Sequence, residues 1–267
     1  MSAVTALVTL AGRRAALTAR TPRQIFVPLL TPVLFALVIA PALKEALGGL
    51  GANLDYTAFV AVGTVGLLIP LTSLFAGLSV IVDRDGGAQR ELLAAPVPRG
   101  FLVLGNLSVA LAVAALQVVL LIAVALLRGA HFHASAVGLA WFVPAALLFA
   151  VFMYGVAETL ASRIPQQDEY IAATPAVAIL PWFFAGALFP IGALPGALTA
   201  FAKVLPLTHA LALMRYGVLD RSGSGLHDIW GMGNTTLEAA LSLAVVALFA
   251  AAFTAIAIRT FARSALR

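Results

Sequence analysis

Long uncharged apolar runs alternate with short charged segments along the whole chain. The runs cover residues 25–43, 56–82, 101–127, 134–157, 170–190 and 239–258. A helix needs roughly 20 apolar residues to cross a hydrocarbon core of about 30 Å. The pattern therefore predicts an all-α polytopic membrane protein with six transmembrane helices, folded as one domain over residues 1–267. Residues 1–23 differ. Val4, Leu7, Val8 and Ala11 share one helical face, and Arg13, Arg14 and Arg20 follow them. That order reverses a signal peptide and predicts an amphipathic helix lying on the membrane.

Two connecting segments break the pattern. Residues 83–100 read DRDGGAQRELLAAPVPRG. Gly86 and Gly87 interrupt the preceding helix, residues 88–95 are helix-compatible, and Pro96 and Pro98 stop them. The spacing predicts a short helix with Leu92 and Leu93 exposed among Arg90, Glu91 and Arg99. This segment either docks a partner or merely connects two spans. Residues 191–220 are too apolar for an exposed loop, and Pro195 and Pro206 cut them into pieces too short to cross. Such pieces suit re-entrant outer helices between spans 5 and 6. A seventh span over 204–219 would carry His209 and Arg215 inside it and is disfavoured. Pro28, Pro32, Pro70, Pro144, Pro175 and Pro181 fall inside spans and predict kinks.

Composition agrees with the pattern: 62% of the 267 residues are apolar and 10% are charged, against about 25% charged in soluble domains. This excludes a soluble or disordered protein. The net charge of +5 would suggest a nucleic-acid partner in a soluble chain. Here position explains it, and no nucleic acid is implied. Arg13, Arg14, Arg20, Arg23, Arg84, Arg90, Arg99, Arg163, Arg259, Arg263 and Arg267 fall on the side of the termini, which is 11 basic residues. Lys44, Arg128, Lys203, Arg215 and Arg221 fall opposite, which is 5. The positive-inside rule then places both termini in the cytoplasm.

Several chemistries are excluded. Cysteine is absent. Neither Lys44 nor Lys203 sits in a Gly-Lys-Ser/Thr string, so a P-loop is absent. His131, His133, His209 and His227 all lie outside the six runs, which leaves no Ser–His pair for an intramembrane protease. His131 and His133 read as polar loop rather than half of a metal site. Glu158 is the acid nearest the hydrocarbon region. It is either a proton or cation contact or an interfacial carboxylate that snorkels near Arg163, and the second reading is preferred. Asn106, Gln117 and Thr174 either line a substrate path or bond to neighbouring helices.

The loop string resembles the E-x-E-x-G-T-x-E-x-L-x-x-T-P-V-x-R segment of the type-2 ABC exporter permeases, the ABC-2 family. Asp83, Asp85, Gly87, Arg90, Glu91, Leu92, Leu93, Pro96, Val97 and Arg99 fit it. Gln89 and Ala95 stand where that family often has other polar residues. A second segment, GALFPIGALPGALTAFAKVLPLTHALALMRYGVL, is similar to the family's proline-rich outer segment through Gly186, Pro190, Leu194, Pro195, Leu198, Pro206 and Arg215. The similarity covers nearly the whole chain and is nearest the drug-resistance, daunorubicin-type subgroup of bacterial permeases.

The resemblance implies an export permease that is not itself an enzyme, in the cell membrane. ATP and Mg would be bound by two copies of a separate ABC ATPase. A second permease, identical or different, would complete the complex. Asp83, Arg84, Asp85, Arg90, Glu91, Leu92, Leu93, Pro96 and Arg99 would form the loop that couples to the ATPase. Pro190, Pro195, Pro206 and Arg215 would shape the outer re-entrant segment. The substrate would be a hydrophobic or amphipathic drug, lipid or glycolipid. The alternative is an ion-coupled secondary transporter using Glu158.

Overall fold

The computed structural model describes residues 3–39, 41–42, 45, 55–95 and 97–264. Lys44, Pro96, Arg267 and the end of the first apolar run fall outside them. The described residues form helices and no strands. Among the described residues, eleven α-helices have bounds on both sides and follow in order. They are α1 (Ala3–Arg20), α2 (Arg23–Leu34), α3 (Tyr56–Asp85), α4 (Ala88–Ala94), α5 (Arg99–Leu127), α6 (Ala136–Arg163), α7 (Gln167–Phe184), α8 (Gly196–Val204), α9 (Pro206–Val218), α10 (Ser224–Trp230) and α11 (Thr235–Ser264).

Four of these, α3, α5, α6 and α11, are long and apolar enough to cross a membrane. Two bent pairs bring the number to as many as six. One joins α1 to the helix through Ile39 at 65°, and the other joins α8 to α9 at 83°. Each of the six predicted runs is helical over most of its described residues, but two are modest, and the fifth ends as helix at Phe184. The first is the 12-residue α2 with a π turn, and the fifth is the 18-residue α7. Pro28 and Pro32 shape α2. A proline cannot donate to the helical ladder, and just beyond Pro32 the backbone widens into the π turn Phe35–Ile39.

The central element is α3, whose residues 57–70 are all buried. It packs against α2, α5, α6 and α7, while α6 carries α11 on another face. Trp182 of α7 is fully buried. Its Nε1 donates to the Gly63 carbonyl of α3 at 2.7 Å, and Phe35 meets its ring edge-on at 5.1 Å. The outer surfaces stay apolar, with Leu116 and Val119 on α5, Val137 and Val143 on α6 and Leu248 on α11 exposed. Such faces suit hydrocarbon rather than water.

Small residues set the closest approaches. A Cβ at Gly138 of α6 would overlap the Gly217 carbonyl of α9. One at Gly63 would overlap the Ala187 carbonyl. Pro206 opens α9 where its missing N–H costs nothing. Leu205 before it is extended, as a pre-proline residue prefers. The bend between α8 and α9 follows at Leu205, and α9 with its 13 residues is shorter than the roughly 20 a straight span needs.

The helix α1 packs against α5 through a face that only partly overlaps the one that reads as apolar in sequence. Ala6 and Arg14 are buried, and Leu10 meets Gly105. Val4 and Val8 point outward, 71% and 64% exposed. Val4 and Val8 of the predicted apolar face are thus left free for lipid, while Leu7 and Ala11 of the same face are half-buried toward the bundle.

Candidate coupling site

The short helix α4 forms as expected. Gly87 takes φ of +79° at its start, a conformation open to glycine and unfavourable for most other residues. Leu92 and Leu93 are not exposed as predicted. They are half-buried and pack on the core, because burying two leucines removes apolar area from water. The exposed surface is instead made by Asp85, Arg90, Glu91, Ala94 and Ala95. Gln89 is buried, and its Oε1 has no hydrogen-bond partner.

Three charged residues flanking α4 fasten it to other helices. Asp83 accepts from Arg14 Nη1 at 3.2 Å and lies 3.7 Å from Arg13. Arg84 donates to the carbonyls of Ala161, Ile164 and Pro165 at 3.1, 3.2 and 2.7 Å, and lies 3.6 Å from Asp85. Arg99 donates to the Ala262 carbonyl at 2.7 Å. The last carbonyls of a helix lack partners within it and carry partial negative charge. Arg84 therefore caps the end of α6 at the turn into α7, and Arg99 caps the end of α11. One segment holds α1, the α6–α7 turn and α11 together.

Glu158 is fully buried rather than snorkelling at an interface. Its Oε2 accepts from Tyr154 at 2.7 Å, while Oε1 has no hydrogen-bond partner. The reason is register. Tyr154 lies one turn before Glu158, on the α6 face turned inward, and both go with it. Tyr170 donates to the Leu74 carbonyl at 2.9 Å nearby. Gln117 is also fully buried. It accepts from Thr72 and donates to the Ile25 carbonyl, tying α5 to α3 and α2. Thr174 donates to the Tyr170 carbonyl of its own helix at 3.2 Å. Asn106 borders two cavities, one between α1, α3 and α5 and one that α4 and α11 also line.

The opposite end of the bundle centres on Arg215. It donates to the carbonyls of Gly186, Ala187 and Phe59 at 2.7, 2.8 and 3.3 Å. Its guanidinium carbon sits 3.4 Å from the Phe59 ring centre, a cation–π contact. Tyr56 donates to the Leu188 carbonyl at 2.7 Å beside it. Pro190 precedes a short 3₁₀ turn and Pro195 precedes α8. Arg215 thereby binds the link after α7 to the start of α3.

Sequence reasoning missed one polar network here, in which a histidine outside the six runs meets a serine of α11. His209 Nδ1 lies 3.1 Å from Ser242 Oγ, its Nε2 lies 2.9 Å from the Lys203 carbonyl, and Trp230 donates to Ser242 at 2.8 Å. The pair is separated by 33 residues, and no local motif announces it. Ser242 is fully buried and held by two partners, so the contact joins α9, α10 and α11.

A sequence model of the family described as "ABC-2 type transporter" matches residues 5–219. The chain is also 27% identical over 186 residues to nodulation protein J of Sinorhizobium fredii, covering 67% of this chain and 70% of that protein.

Proposed function

The chain belongs to the ABC-2 type transporter family, and from that premise we propose that it is the permease subunit of an ATP-driven exporter. Permeases of this family pair with an ABC ATPase, which carries the hydrolytic chemistry. Two ATPase subunits binding ATP and Mg, and a second permease of the same or a different kind, complete the assembly. The excess of basic residues at the α4 end favours a cytoplasmic location for that end and both termini. Substrate then moves outward from the cytoplasm or inner leaflet. The apolar walls favour a hydrophobic or amphipathic molecule such as a drug, lipid or glycolipid.

The observation that carries this reading is the triple fastening of α4. An ATPase pressing on Arg90 and Glu91 would move α1 through Asp83, the α6–α7 turn through Arg84 and α11 through Arg99. A rigid connecting loop has no need of three such ties. Purification of the full chain from its native membrane tests the reading. A P-loop ATPase that co-purifies, and whose ATP turnover drives uptake into inside-out vesicles, supports it.

A second reading, ion-coupled transport, has one observation in its favour. Glu158 is a fully buried carboxylate with one oxygen free of hydrogen bonds. Transport that survives loss of ATP and fails with Glu158→Gln would select it.

A further inference from the structure

The geometry points to a binding site for the hydrocarbon tail of a fatty-acyl amphiphile, in the cavity between α3, α6, α7 and the α8–α9 bend. The cavity holds about 210 Å3. Pro70 of α3 forms part of its wall, with Phe149 and Met153 of α6, Pro181 of α7, and Leu205 and Pro206 at the bend. None of the eleven lining residues has a side-chain nitrogen or oxygen. Its three prolines have no N–H to offer either. Water finds no partner in such a place. An apolar cavity of roughly 150 Å3 stays dry and takes up benzene. Left empty, its lining forgoes dispersion contacts, and an apolar ligand restores them.

Depth and shape select that ligand. Pro70 sits halfway along α3, about 21 Å along the axis from Tyr56. The cavity is therefore at the middle of a helix long enough to cross the membrane, too deep for headgroups. Its α6 wall runs from Phe149 to Val156, about 10 Å along the helix. Both α6 and α7 pack on α3 and hardly touch each other. The cleft between them leads sideways out of the bundle, and Val156 and Val177 are half-buried at its rim. At this depth the surrounding medium is acyl chain, whose polar head stays at the interface. The occupant is the distal part of such a chain, entering between α6 and α7. The site follows from the membrane-spanning fold and does not rest on ATP-driven export.

Photolabelling of the full chain in phosphatidylcholine nanodiscs, read by peptide mass spectrometry, tests this with three probes. The first is palmitic acid carrying a diazirine near its methyl end. The second is phosphatidylcholine with the same photoactive chain, and the third is phosphatidylcholine with the diazirine on its headgroup. Met153 and Ala178 are buried and line the cavity, so a label reaches them only from inside it. Leu248 of α11 is exposed and reports ordinary lipid contact. The acid is expected to label Met153 and Ala178 at least as strongly as Leu248, and the headgroup probe is expected to label neither cavity residue. Cavity labelling by the acid alone identifies a single-chain amphiphile, and labelling by both chain probes admits a phospholipid chain as well.

Val177→Trp and Val156→Trp each place a ring in the cavity from its rim. Each is expected to cut cavity labelling about tenfold with Leu248 unchanged, and thermal unfolding identifies the variant that stays folded. An absence of label at Met153 and Ala178, equal labelling of them by the headgroup probe, or cavity labelling undiminished in the folded variant would each overturn the site.

Discussion

Arg14 Nη1 lies 3.2 Å from an oxygen of Asp83, so the helix nearest the N-terminus is fastened to the residue after which the chain turns toward α4. Asp83 is thus an internal anchor rather than a docking residue. Asp83→Asn leaves Arg14, 8% exposed at its side chain, without its counter-charge. The expected cost is about 1.5–3 kcal/mol, seen as a lower Tm in detergent, with ATP turnover no longer matched by transport. Arg13→Gln removes a contact at 3.7 Å from a side chain that is 36% exposed, and leaves Tm nearly unchanged. Equal shifts in the two variants would contradict the ranking.

Gly138→Ala is expected to destabilise by about 1–3 kcal/mol or more, because its Cβ would overlap the Gly217 carbonyl. Neither partner there is a flexible side-chain end. Gly12→Ala on α1 meets nothing within 4 Å, and the gain in helix propensity of roughly 1 kcal/mol makes it neutral or stabilising. Thermal unfolding of the two variants side by side measures the difference.

Much of this was legible in sequence, and the failures have one cause. Apolar runs located every long helix, because the bilayer demands length and apolarity of each span separately. Gly87 and Pro206 marked real breaks through backbone rules that act within a few residues. What a one-dimensional pattern does not hold is which face turns inward. Leu92 and Leu93 read as exposed and are half-buried. Glu158 read as interfacial and is fully buried. Asp83, Arg84 and Arg99 were legible as charged loop residues, but their guanidinium and carbonyl partners lie 69 to 163 residues away. Ser242 and His209 meet only because α9 and α11 pack side by side.

Asp220 at the end of α9 gives a pH-dependent expectation. Burial of its carboxyl acts to raise the pKa. Hydrogen bonds from the hydroxyls and backbone N–H groups of Ser222 and Ser224 outweigh that and hold it below the usual carboxylate range. A depressed folded-state pKa contributes stability that is fully present above the unfolded pKa of about 3.9. That contribution is lost as pH falls through the lower folded value. Asp220→Asn is therefore expected to lower Tm at neutral pH by the equivalent of about 1 kcal/mol. The gap from the unaltered protein should close in acid. A gap that widens as pH falls would be the wrong sign.

Glu158→Gln keeps an oxygen to accept from Tyr154 and removes the ability to ionise. If the energy comes from an ATPase, ATP-driven uptake into inside-out vesicles stays within about twofold of the unaltered protein. A loss of tenfold or more, with Tm preserved, would transfer the energetics to Glu158.

The exposed charges of α4, Arg90 and Glu91, carry the most direct test of the proposed coupling. The double variant Arg90→Glu, Glu91→Arg alters surface that no described helix covers, so the bundle should fold and keep its Tm. Inside-out vesicles holding this variant and its co-purifying ATPase are then assayed for ATP-driven uptake. Loss of ATPase recruitment or of uptake by about tenfold, with the protein still inserted, is the predicted result. Full ATP-driven uptake by the inserted double variant would contradict the account.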